Sequence, residues 1–278
     1  MWRTDTDRPT FSGGTTVPAA AYLAVIAVLS GLLFVTRGGS PSPVVGMAWG
    51  ALLVVLAIGA FGIEGGSARS VLPAARTLVP VTTVLLAFWG AYNLVAYGLA
   101  LSGVPGFEAT WPSAAGHPLA YLAALVSSIL FTAIPEELFF RAYLQQKIVA
   151  LAGSETRRTV AAAVVVVAVL FALFHLPRWL ASGHGVGTAL AVRLFGLALM
   201  GLAYGLVYAM TGNLWLVALF HATMNQPPFL VTVSLPSELH LVVGLVEYTA
   251  IVSVVALSGA VTERDWPAIS WVQRDGTS

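Results

Sequence analysis

Three short stretches carry side chains able to do chemistry in an otherwise apolar chain. "AIPEELFFRAYL" holds Glu136, Glu137 and Arg141, "FALFH" ends on His175, and "HATMN" begins with His221 and ends on Asn225. On a helix, residues four apart share a face, whereas neighbours diverge by about 100°. Glu137 and Arg141 are therefore expected to stack as an ion pair, which leaves Glu136 pointing elsewhere and available to react. His221 and Asn225 share a face in the same way, and Phe171 packs its ring beside His175.

A carboxylate, two imidazoles and a carboxamide suit water-dependent cleavage of an acyl bond. Glu136 would act as general base on a water molecule, with His175 positioning that water or sharing its proton. His221 and Asn225 would donate hydrogen bonds to the oxyanion of the tetrahedral intermediate, often a large catalytic contribution in a water-poor site. No serine stands near a histidine in a nucleophile motif, and cysteine is absent, so disulfide and thiolate chemistry are excluded.

The elements that must position these groups are membrane helices. Hydrophobic residues make up 58% of the 278, charged residues only 9%, and the mean hydropathy is +0.87. Soluble domains are about 25% charged. An all-α polytopic membrane protein is expected, a bundle of about eight transmembrane helices. The apolar windows fall near 17–36, 44–63, 79–101, 118–146, 159–177, 186–210, 213–233 and 240–260. They form a single transmembrane domain over 17–260, with its motif core at 118–233, between polar tails at 1–16 and 261–278. The net charge of +1 gives no argument for nucleic acid.

With both termini cytoplasmic, the inner segments hold Arg3, Arg8, Arg69, Arg76, Lys147, Arg157, Arg158, Arg264 and Arg274, and the outer ones only Arg37 and Arg178. That asymmetry obeys the positive-inside rule and requires an even number of spans. The expected place is the cell membrane, multi-pass.

Ionisable groups within spans are costly and usually paired or functional. Pro135 removes a helical amide just before the acids and is expected to kink its helix. Pro227 and Pro228 deprive the carbonyls of Thr223 and Met224 of helical donors. Two disrupted helices beside polar residues suggest a hydrated pocket. At 1.5 Å per residue, Glu136 lies roughly 16 Å from the inner boundary, His221 about 12 Å and Asn225 about 18 Å. His175 comes out deeper, at about 25 Å by the same rise, unless its helix tilts or starts late. Arg193 and Glu247, at similar depth from the outer side, are expected to pair. In "GLALMGLAYG", Gly201 and Gly205 form a small-residue repeat that lets helices approach closely, within one bundle rather than at a dimer interface.

Together the three stretches resemble the motifs of the CPBP family, the CAAX proteases and bacteriocin-processing proteins also called the Abi family. "EELFFR" is similar to its E-E-x-x-x-R motif, "FALFH" to its F-x-x-x-H motif, and "HATMN" to its histidine followed four residues later by Asn or Asp. The resemblance implies an intramembrane glutamate-dependent endopeptidase similar to type II CAAX prenyl endopeptidases. Its catalytic groups would be Glu136, His175, His221 and Asn225, supported by Glu137, Arg141 and Phe171. Its partner would be a lipidated or membrane-embedded peptide within the lipid bilayer, reached from the cytoplasmic side. No cofactor is expected. Glu136, His175 and His221 could compose a His₂Glu zinc set, but without an H-E-x-x-H motif a metal-free site is favoured. The alternatives are a non-catalytic membrane scaffold or bacteriocin-immunity protein that uses the polar network structurally, and a proton-coupled carrier, for which no pair of broken helices in corresponding halves speaks.

Overall fold

The structure, a computed structural model, describes residues 11, 14–36, 43–66, 68–71 and 75–261. The basic residues Arg3, Arg8, Arg37, Arg264 and Arg274 and most of both tails lie outside the described residues. Long helices dominate: α1 (Thr16–Val35), α2 (Pro43–Ile63), α3 (Leu78–Leu101), α4 (Pro118–Leu151), α5 (Arg157–Phe174), α6 (Leu176–Ala181), α7 (Thr188–Thr211), α8 (Leu214–Asn225) and α9 (His240–Val261). Among the described residues seven helical segments are long and apolar enough to cross a membrane, with α5 and α6 counted as one segment and α8 falling short. Bulky apolar side chains such as Leu23, Phe34, Leu86 and Leu94 point outward, as expected where the surroundings are lipid. The chain is a multi-pass membrane protein.

The seventh expected span differs from its sequence reading. α8 ends at Asn225 rather than continuing to residue 233. Pro227 and Pro228 remove two successive helical donors, and each proline disfavours helical geometry in the residue before it. The chain instead runs extended to β2 (Thr232–Val233), which pairs antiparallel with β1 (Phe107–Glu108). The Asn93 side chain holds this stretch. Its amide donates to the carbonyl of Pro228 (3.1 Å) and its oxygen accepts from the amide of Leu230 (2.7 Å). Tyr121 donates to the carbonyl of Gln226 at 3.0 Å. Backbone groups stranded at membrane depth are thereby paired.

At Pro135, by contrast, α4 continues. The helix widens around it, with π-helical winding over Ile129–Ala133 and again over Leu138–Gln145. The amide of Ile134 reaches back five residues to the carbonyl of Ile129. A π-turn of this kind accommodates a missing donor without ending the helix, and such turns frequently lie at functional sites. Gly50 of α2 sits against the Phe131 carbonyl in this widened turn, where a Cβ would collide with the oxygen.

Small residues set the spacing around α4. Ala133 packs with Ala218 and Ala222 of α8. On α7, a Cβ at Gly201 would lie 2.9 Å from Ala168 Cα, and one at Gly205 2.9 Å from Val164 Cγ1. The small-residue repeat thus docks α7 on α5 within this bundle. α7 turns into α8 through Gly212 in the left-handed conformation (φ 59°) and Asn213, whose side chain caps α8 by accepting from Leu216 N at 3.2 Å. At the opposite end of the bundle from the strand pair, Lys147 and Glu64 form a buried ion pair, and Tyr143 donates to Glu64 at 3.0 Å. Phe11 covers the pair, its ring 5.7 Å from Phe61 and 5.6 Å from the Lys147 ammonium.

Candidate active site

α4 carries both glutamates at the turn between its two π-helical stretches, and both are buried. Glu137 Oε2 accepts from Arg141 Nε at 3.0 Å, the pair expected from helical spacing. Its other oxygen, Oε1, lies 2.7 Å from His221 Nδ1. Glu137 therefore bridges α4 and α8, a connection that spacing within one helix does not reveal. The opposite ring nitrogen, His221 Nε2, faces Glu136 Oε2 at 3.8 Å. That separation is beyond hydrogen-bond range, and Glu136 Oε2 is buried without a hydrogen-bond partner. One imidazole thus spans the two neighbouring carboxylates, tightly on one side and loosely on the other.

The tautomer follows from this geometry. An ionised carboxylate only accepts, so His221 Nδ1 carries a proton, and Nε2 donates only when the ring holds a second one. His175 is fixed in the same manner. Its Nδ1 donates to the Phe171 carbonyl at 2.8 Å, which leaves Nε2 as the nitrogen able to accept a proton. His175 occupies the break between α5 and α6, where Pro177 cannot supply the next helical donor. α5 begins at Arg157, capped by Thr156, so a late helix start does not account for the depth of His175.

Phe171 is the common wall of the site. Its ring lies 4.8 Å from the His175 ring, 6.2 Å from the His221 ring and 5.2 Å from the Arg141 guanidinium carbon. Phe174 closes a further side of His175 at 4.9 Å. Asn225 stands one turn beyond His221 on the last, exposed residue of α8.

The structure therefore joins Glu136, Glu137, Arg141 and His221 by direct polar contact or near approach, and links His175 to them through Phe171. Asn225 is aligned with His221 by helical spacing. Two neighbours escaped the sequence reading. Tyr204 of α7 stacks on His221, with ring centres 5.3 Å apart and planes at 29°. Gln145, one turn beyond Arg141, donates to the Gly205 carbonyl at 3.1 Å. Tyr204 lies inside the small-residue repeat, and that pattern was its only signal.

The expected Arg193–Glu247 pair is not formed. Arg193 is exposed on α7, and Glu247 interacts instead with Tyr92 of α3. Equal depth along two helices places groups in one layer but does not orient them toward each other. Among the described residues, no three His, Asp or Glu side chains converge closely enough to hold a metal ion. The Nδ1 atoms of both histidines are committed to protein acceptors, which leaves Nε2 as the nitrogen that would face any bound group.

Residues 118–226 match the family described as Type II CAAX prenyl endopeptidase Rce1-like. The match runs from the start of α4 just past the end of α8 and includes all three motifs, which supports the family resemblance read from them. No curated protein and no solved structure matches the chain.

Proposed function

We propose that this chain, whose motif-bearing segment has the pattern of a CAAX-type protease family, is an intramembrane endopeptidase. It hydrolyses a peptide bond in a lipid-anchored or membrane-associated substrate. The observation that carries this reading is the unpartnered carboxylate oxygen of Glu136, 3.8 Å from a ring nitrogen of His221 whose other nitrogen is anchored on Glu137.

In this mechanism Glu136 removes a proton from water as the water attacks the scissile carbonyl. His175 Nε2 orients that water by accepting its second hydrogen. His221, protonated on both nitrogens during the step, donates from Nε2 to the developing oxyanion, and the Asn225 amide donates alongside. The proton held by Glu136 then passes to the departing amine. Glu137 and Arg141 hold the His221 ring in register, and the water needs no metal to activate it. The site is entered from the cytoplasmic side of the cell membrane, with both termini cytoplasmic. The asymmetry of the basic residues along the sequence supports that orientation.

Complete burial of Glu137 and Arg141 also favours a second reading, a scaffold locked by its polar network. One experiment separates the two. Purified chain is incubated in detergent with a farnesylated or membrane-tethered peptide, as wild type and as Glu136→Gln, with and without chelator. The protease reading expects cleavage by the wild type, unaffected by chelator, and its loss in a variant that remains folded. Equal cleavage by Glu136→Gln, or activity that is lost to chelator and restored specifically by zinc, overturns the corresponding part.

A further inference from the structure

A hydrogen bond from one nitrogen restrains the plane of an imidazole only loosely, because modest rotation about Cβ–Cγ swings Nε2 while Nδ1 stays within reach of its acceptor. His221 needs a fixed plane for Nε2 to face Glu136 while Nδ1 stays on Glu137. α7 supplies the constraint. Gly201 and Gly205 seat that helix against Ala168 and Val164 of α5, at a separation that admits no Cβ. The close approach buries Tyr204 fully, and its ring lies face to face with that of His221 at 5.3 Å and 29°. On a different side, Phe171 meets His221 nearly edge-on at 79°. The Tyr204 hydroxyl is buried without a hydrogen-bond partner in the protein. Its contact with His221 is made by the face of the ring.

We infer that Tyr204 is a positioning residue for the proposed hydrolysis, holding the His221 ring in the plane that directs Nε2 at Glu136. It acts through His221 and does not itself touch the substrate. The inference rests on the protease reading for its kinetic consequence, whereas the orientation of His221 can be read independently.

The test uses the full chain in detergent as wild type, Tyr204→Phe and Tyr204→Leu. Tyr204→Met, which fills the volume without a flat face, replaces the leucine variant should that fail to fold. Steady-state cleavage of a membrane-tethered peptide is measured alongside ring ¹⁵N signals of labelled histidine, with His221 identified by its loss in His221→Gln. Tyr204→Phe is expected to keep kcat within about twofold and to leave the His221 signals in place. Tyr204→Leu is expected to lower kcat about 10–100-fold, the scale of loss when a partner that orients a metal-ligating histidine is removed, with KM unchanged and the His221 signals shifted. A loss in Tyr204→Phe as large as in Tyr204→Leu, an effect confined to KM, or unshifted His221 signals in Tyr204→Leu overturns the inference. Without wild-type cleavage the protease reading fails, while the ¹⁵N signals still decide whether Tyr204 sets the ring.

Discussion

His221 Nδ1 lies 2.7 Å from Glu137 Oε1, so the second glutamate of the motif binds α8 as well as its own helix. The two adjacent acids consequently differ in kind. Glu137 has both oxygens engaged, by Arg141 and by His221, whereas Glu136 Oε2 has no hydrogen-bond partner.

That difference sets the expected outcomes at Glu137. Glu137→Ala leaves the Arg141 guanidinium buried without its carboxylate, a loss of about 3–5 kcal/mol for a broken buried pair. Glu137→Gln keeps an oxygen for His221 but also removes the charge opposite Arg141, so it is expected to fold with part of that loss. Its kcat should fall about 10–100-fold through misorientation of the imidazole, as for other orienting partners. Thermal unfolding in detergent and steady-state cleavage check the two effects separately. A Glu137→Ala variant as stable as wild type would show that the bridge holds nothing together.

Close approach of α7 to α5 gives a second expectation. Gly201→Ala places a Cβ 2.9 Å from the backbone of Ala168, which cannot yield without moving a helix. Overpacking of this kind costs about 1–3 kcal/mol. The unfolding temperature in detergent should fall while the oligomeric state measured by light scattering stays the same. A change of oligomeric state at unchanged stability would instead move these glycines to an interface between copies.

Asn93 is expected to matter beyond its own helix. Asn93→Ala removes the partner of both the part-buried Pro228 carbonyl and the Leu230 amide, at about 0.5–1.5 kcal/mol for each hydrogen bond lost. Hydrogen exchange at residues 226–233 should quicken selectively, with a smaller loss of cleavage as the end of α8 loosens around Asn225. Leucine does not restore the two bonds, so Asn93→Leu should behave as Asn93→Ala.

The Glu64–Lys147 pair invites a cycle. Lys147→Met alone leaves Glu64 buried against Tyr143 and should destabilise by about 3–5 kcal/mol. Adding Glu64→Leu is expected to recover most of that loss, because apolar replacement of both partners is often tolerated. A double variant no better than Lys147→Met would count against this account.

Hydropathy made the helices legible because lipid demands long apolar segments whose backbone bonds close within themselves. It could not locate the end of α8. The prolines announced a disruption, but the extended stretch after Asn225 depends on Asn93 and Tyr121, contributed by other helices. Helical spacing gave Glu137–Arg141 because both residues stand on one helix. Spacing is silent between helices, which is why the Glu137–His221 bridge and the Tyr204 stack emerged only in three dimensions, and why Arg193 and Glu247, matched by depth alone, do not meet.

Lys147 is the chain's single lysine, and it is 1% exposed beneath Phe11. While the fold is intact, a water-borne amine-directed reagent finds no side chain of its kind to modify among the described residues. The appearance of label on Lys147 would therefore time the opening of that end of the bundle, a built-in reporter that needs no engineered probe.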